Sequence, residues 1–131
     1  MDRLNSWERS VLLSGFALEK KAYDLVILDV RLVSSIADYF IICTGRSDRQ
    51  VKSIAQSLDE NLSLQGIRPL AVEGLERSHW VLMDYDDVIV HIFYQPVRGF
   101  YDLERLWFRA PRAELPAPYS DLARQFNTAN G

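Results

Sequence analysis

Asp84, Asp86 and Asp87 put three carboxylates within four residues. Alternate acids of this kind can hold a pair of divalent cations for phosphoryl transfer. That chemistry requires both side chains on one face, whereas a hairpin tip collects acids for turn geometry and solvent alone. Thr44-Gly45-Arg46-Ser47 runs into a helical pattern, and backbone amides there could hold a phosphate. It has one glycine and no following lysine, so neither a P-loop nor a dinucleotide fingerprint is met. His79 and His91 are the only histidines, and neither neighbours a serine or cysteine in a nucleophile motif. Cys43 is the only cysteine and lies in an apolar run, which reads as a buried, inert thiol. One Cys and two His lack zinc spacing. Arg46 and Arg49 are a pair of cations near a helix start, a weak signal for an RNA groove.

Aromatic residues are the stronger signal. Trp80, Tyr85, Phe93, Tyr94, Phe100, Tyr101, Trp107 and Phe108 crowd the last third of the chain, and Trp and Tyr suit interface anchors. Their placement depends on a hairpin. Trp80 to Asp84 and Asp87 to Tyr94 alternate around a two-residue turn at Tyr85-Asp86, pairing Asp84 with Asp87, Leu82 with Ile89 and Trp80 with His91. One face then carries Val81, Met83, Val88, Val90 and Ile92, all apolar. The other carries Trp80, Leu82, Asp84, Asp87, Ile89, His91 and Phe93, the mixed composition of a half-wet or partner-covered face. Trp80 offers that face a large rigid ring and one N–H donor.

The supporting elements follow from periodicity. Ser6 opens a helix with Trp7, Val11, Leu12 and Leu18 on a stripe. Leu25 to Val30 and Tyr39 to Thr44 read as buried strands joined through Ser34 and Ser35. Ser47 and Gln50 fit a capping box, and Val51, Ile54, Ala55, Leu58 and Leu62 form one helical face closed by Gly66. This is the first half of a βαβ crossover. Leu70 to Glu73 adds a short strand. After Pro96 and Gly99, a last helix over about Phe100 to Arg109 sets Phe100, Leu103, Leu106 and Trp107 on one side.

The chain of 131 residues suits one α/β domain with a mixed sheet of about five strands and flanking helices. We assign that domain to residues 1–110 and read 111–131, with Pro111, Pro116 and Pro118, as a flexible tail. A composition 48% hydrophobic and 25% charged excludes wholesale disorder. The longest apolar run, Tyr39 to Cys43, is far short of a membrane span. A net charge of −3 argues against a role dominated by phosphate neutralisation. The N-terminus carries no targeting pattern, which points to the cytoplasm.

Seven segments in order resemble the Iojap family, the ribosomal silencing factors. They are Leu28-Asp29-Val30, Ser35 to Phe40, Thr44-Gly45-x-Ser47-x-Arg49-Gln50-Val51, Val72-Glu73-Gly74, Trp80 to Asp84, Asp87 to Phe93, and Tyr101-x-Leu103-Glu104-x-Leu106-Trp107. Asp86 departs from the glycine common at that place in the family. The resemblance implies a fold related to nucleotidyltransferases without their catalytic motifs, and no catalytic residue, metal or cofactor. It implies binding to the large ribosomal subunit at ribosomal protein L-fourteen, a steric block to joining of the small subunit under nutrient limitation, and a homodimer in the free state. A basic ribosomal protein suits this acidic chain better than bare RNA, and no membrane is involved. The expected ribosomal-protein contacts are Trp80, His79, Leu82, Tyr85, Ile89 and His91; the expected dimer contacts are Tyr101, Glu104 and Trp107. The alternative is a nucleotide-handling enzyme of nucleotidyltransferase type using Asp84 and Asp86.

Overall fold

The computed structural model describes residues 4–126. Helix α1 spans Ser6–Glu19. Its N-cap is Asn5, whose side chain accepts from the Glu8 amide at 2.8 Å while Glu8 reaches back to the Asn5 amide at 3.0 Å. Strands β1 (Tyr23–Asp29) and β2 (Tyr39–Gly45) follow as an antiparallel pair. Helix α2 is Asp48–Ser63, β3 Ala71–Glu73, β4 Trp80–Asp84 and β5 Val88–Tyr94. The chain closes with α3 (Gln95–Tyr101), α4 (Leu103–Leu106), β6 (Arg112–Ala113) and α5 (Tyr119–Gln125).

The six strands order as β3-β4-β5-β2-β1-β6. Only β2 and β5 run parallel, and the crossover between them passes through α2 and the β3–β4 pair. A parallel pair must be covered on both faces. All seven residues of β2 are accordingly buried.

Helices α1 and α2 cover one face. Val51, Ile54, Ala55, Leu58 and Leu62 of α2 meet Ile41 and Cys43 of β2, Val81 and Met83 of β4, and Val88, Val90 and Ile92 of β5. Each large aliphatic side chain buried this way contributes about 1.5–3 kcal/mol of transfer free energy. Ser47 caps α2 as expected, accepting from the Gln50 amide at 3.0 Å. Gln50 completes a different motif from the capping box. Its Oε1 accepts from the Arg46 amide, and its Nε2 donates to the Lys20 and Lys21 carbonyls, tying α2 to the end of α1. Gly66 has the expected positive φ, at 76°.

Two expectations are corrected here. The sheet has six strands rather than about five, because Arg112 and Ala113 pair with Leu28 and Ile27. That strand belongs to the segment read as a tail. Helix α5 also packs back onto α1, where the Tyr119 ring lies so close to Gly15 that a Cβ there would sit 2.7 Å from it. Proline density marked an irregular path rather than loose chain. Residues 127–131 of that segment lie outside the described residues.

Candidate functional site

The opposite sheet face is only partly covered. Leu28, Phe40, Ile42 and Phe93 point to it, with Val97 of α3 and Leu103 and Trp107 beyond packed over them. Trp80, Leu82 and Ile89 remain half-buried. This is the mixed face expected from alternation, with the predicted members except Asp87, which lies in the turn, and with a different hairpin register. Trp80 pairs with Phe93, Leu82 with His91 and Asp84 with Ile89. The turn is therefore Asp86-Asp87, and Tyr85 donates its amide to the Val88 carbonyl at 2.9 Å. Every pairing moves by two residues, so each side chain keeps its face.

Asp86 makes this turn possible. It takes a φ of +76°, and its amide donates to Asp84 Oδ1 at 2.8 Å. Asp tolerates this left-handed conformation better than most residues. Asp87 pairs with Arg9 of α1. Asp84 thus serves the turn and Asp87 a helix contact, while Asp86 occupies the turn itself. Among the described residues no group of three or more His, Cys, Asp or Glu side chains is placed to hold a metal.

The new register removes Tyr85 from the candidate contacts. It lies on the α-covered face, 3% exposed, and burial raises its phenol pKa. His91 is likewise no contact residue, at 6% exposure. Its role is to position Trp80: the indole Nε1–H donates to His91 Nδ1 at 3.1 Å. That bond requires an unprotonated Nδ1, and burial pushes the imidazole pKa down to about 4. The donor expected to serve a partner is thus used internally, and Trp80 offers a ring surface instead. The ring stacks on Phe93 at 5.0 Å and tilts against Tyr101 at 4.5 Å.

Beside Trp80 lies a groove of about 650 Å³ between the β3–β4 connection and α3, lined by His79, Trp80, Val97, Phe100 and Tyr101. His79 is exposed and tilts over Tyr94 at 5.6 Å. Gly74 also lines the groove. It has φ +82°, and a Cβ there would lie 2.1 Å from the Trp80 carbonyl oxygen. Only glycine permits that approach.

The last helix is not continuous. Asp102 takes a left-handed conformation (φ 47°, ψ 56°), which ends α3 and starts α4. Pro96 occupies the first turn of α3 rather than preceding it. The break splits the expected stripe. Leu103 and Trp107 turn inward, with Trp107 edge-on to Phe40 at 5.0 Å. Phe100, Leu106 and Phe108 point out, each more than two-thirds exposed. Of the expected dimer contacts, Tyr101 is exposed, while Trp107 is largely used within the chain. Glu104 is held by Arg98 at 3.1 Å and Arg112 at 3.6 Å.

Arg98 was not foreseen. Its Nη1 donates to the Asp24 carbonyl at 2.5 Å and to Thr44 Oγ1 at 2.7 Å, so it clamps α3 to β1 and β2 while binding Glu104. Nothing in the local sequence marks it, because its partners lie 74 and 54 residues away. Thr44 is therefore occupied, and Gly45 serves close packing: a Cβ there would meet Val51 Cγ2 at 2.9 Å. Cys43 is fully buried, and burial pushes its thiol pKa up to about 12. The surface is suited to binding, with aromatic rings on a rigid sheet at its centre.

A family model described as "Ribosomal silencing factor during starvation" matches residues 6–130. The chain is 43% identical over 97 residues to "Ribosomal silencing factor RsfS" of Bacillus subtilis, covering 74% of this chain and 82% of that protein. It is 34% identical over 107 residues to "Protein Iojap, chloroplastic" of Zea mays, covering 82% of this chain and 46% of the plant protein. A crystal structure of a Chromobacterium violaceum protein superposes with a TM-score of 0.78 at 34% identity, over 89% of this chain and 98% of that one. With a family model matching residues 6–130 and a relative 43% identical over 74% of the chain, this chain belongs to the ribosomal silencing factor family.

Proposed function

We propose that this protein represses translation by binding the large ribosomal subunit through ribosomal protein L-fourteen, where its bulk blocks joining of the small subunit, especially when nutrients are limiting. The observation that carries the reading is the family match across residues 6–130. The half-covered sheet face supplies the contact: Trp80 at the centre, Leu82 and Ile89 beside it, and His79 at the groove mouth. Large aromatic anchors ringed by smaller contacts are how interfaces concentrate their affinity. An acidic chain of net charge −3 meets a basic ribosomal protein with favourable long-range attraction, so the protein contact dominates and direct nucleic-acid contact is minor. The free chain pairs with a second copy through Tyr101 and the outward Phe100, Leu106 and Phe108, which a monomer leaves in water. The site of action is the cytoplasm. No helix among the described residues is long and apolar enough to cross a membrane, which is compatible with that placement.

The test is a titration against isolated L-fourteen together with gradient sedimentation over separated subunits. The proposal expects saturable binding to L-fourteen and comigration with large subunits only. Protein remaining at the top of the gradient, or migrating with small subunits, would overturn it.

A further inference from the structure

We infer that Lys20, Lys21, Arg46, Arg49, Lys52 and Arg77 form a basic arc that seats a stretch of RNA sugar-phosphate backbone on the large subunit, beside the protein contact. The inference rests on the ribosome-binding reading above and names a second partner within it.

Three chain segments build the arc. The turn after α1 contributes Lys20 and Lys21, the start of α2 contributes Arg46, Arg49 and Lys52, and the β3–β4 connection contributes Arg77. Gln50 fixes the first two segments together, through the Lys20 and Lys21 carbonyls at 3.2 and 3.1 Å and the Arg46 amide at 2.6 Å. Arg46 lies over the Tyr23 ring at 4.5 Å, which holds its guanidinium plane in place. Arg49, Lys52 and Arg77 share one shallow depression with Asp48 and Glu76.

All six cations are exposed, and none makes an ion pair among the described residues. Arg9, Arg31, Arg98, Arg112 and Arg124, in contrast, are paired with acids; Arg68, Arg105 and Arg109 have no ion pair among the described residues but are scattered singly outside the arc. The chain is acidic overall, yet all three of its lysines lie in this arc. Arg49 and Lys52 stand three residues apart on one helix, where like charges repel. The nearby acids are Glu19, Asp48 and Glu76, and Asp48 already accepts from the Arg49 amide at 2.7 Å. Such an arrangement is relieved by an external polyanion.

RNA fits better than an acidic protein because of what the arc lacks. Protein interfaces are anchored by buried aromatic or aliphatic side chains at their centre. The exposed large apolar residues all lie on other segments: Leu32, Val33, Ile36, Leu64, Leu70, Val72 and the α3–α4 region. A phosphate backbone needs only a row of cations. Arg77 also lines the Trp80 groove, so the arc is continuous with the proposed protein contact.

The test uses the full chain carrying Lys20→Gln, Arg49→Gln and Lys52→Gln, which leaves the Arg77 side of the Trp80 groove intact, compared with wild type on intact large subunits and on isolated L-fourteen. Unchanged thermal melting confirms that the variant is folded. The plot of log affinity against log salt for subunits should flatten by about 2, from roughly 0.7 for each phosphate no longer neutralised, so that between ~0.05 and ~0.2 M salt wild type loses about sixteenfold more affinity than the variant. Affinity for isolated L-fourteen should not change. A second measurement attaches an iron chelate through Lys52→Cys; Cys43 is buried, so position 52 is the one labelled. Hydroxyl radicals from that site should cut the RNA of the large subunit. A variant with wild-type affinity and salt slope on subunits, or a labelled protein that binds without cutting RNA, overturns the inference. An equal loss on isolated L-fourteen assigns the arc to protein and also overturns it. Wild-type protein that fails to bind subunits at all overturns the proposed function, and this inference with it.

Discussion

Acidifying the solution should weaken the fold through His91 and loosen Trp80 at the same time. The imidazole is surrounded by Trp80, Phe40 and Phe93, and burial lowers its pKa to about 4 against an ordinary 6.5. The folded state therefore binds this proton less readily than the unfolded state. The resulting stability is complete above pH ~6.5 and declines as pH falls toward ~4. The displacement from 6.5 to about 4 corresponds to roughly 3 kcal/mol at full protonation, and about 2 kcal/mol of it is lost by pH 5. That is a large share of the roughly 5–15 kcal/mol typical of a domain. Urea denaturation of wild type and His91→Gln at pH 7.5 and 5.0 measures the loss. Gln keeps an acceptor for the Trp80 N–H but cannot take the proton. Carboxylates such as Asp29, whose pKa the Arg31 hydrogen bonds hold low, contribute equally to both proteins and cancel in the comparison. Wild type should lose about 2 kcal/mol more than the variant between the two pH values. Equal losses would refute the assignment of His91 as a buried neutral acceptor.

Three further outcomes follow from the site. Trp80→Ala should remain folded with a loss of roughly 2 kcal/mol, below the 3–5 kcal/mol of a fully buried ring, because Trp80 is only half-buried; large-subunit affinity should fall about thirtyfold. A fluorescence titration showing native affinity would remove Trp80 from the interface. Asp86→Gly should raise stability by about 1 kcal/mol, since Asp86 holds φ +76° at some cost; a lower thermal midpoint would show that the side chain supports the turn. Calorimetry with manganese and nucleoside triphosphates should give no saturable heat, because Asp84 accepts a turn amide and Asp86 lies in the turn. Micromolar binding abolished by Asp84→Asn would revive the enzyme alternative.

Regular elements were legible because their signals are local. The α2 stripe, its Ser47 cap and the alternating faces of β4 and β5 all occupy contiguous sequence. Apart from Asp87, which falls in the turn, the members of the mixed face keep their places despite a register difference of two residues, since alternation has period two. The error came from placing the turn at Tyr85-Asp86, one residue too early. Tyr85 reads as a turn aromatic beside two acids, yet its ring completes the core row after Val81 and Met83. Where placement depended on distant partners, sequence fell short. Only the folded chain brings Arg98 to Asp24 and Thr44, or Tyr119 to Gly15. The break at Asp102 is a left-handed non-glycine residue, which pattern alone does not reveal, and it decides which of Phe100, Leu103 and Trp107 faces outward.

Bound to the large subunit, this protein should keep the two subunits apart. Light scattering during magnesium-induced association of purified subunits measures joining directly. Large subunits preincubated with a molar excess of this protein should show a joined fraction that falls in step with occupancy, and Trp80→Ala should restore joining at the same concentration. Unchanged association amplitude and rate at saturating occupancy would contradict the account.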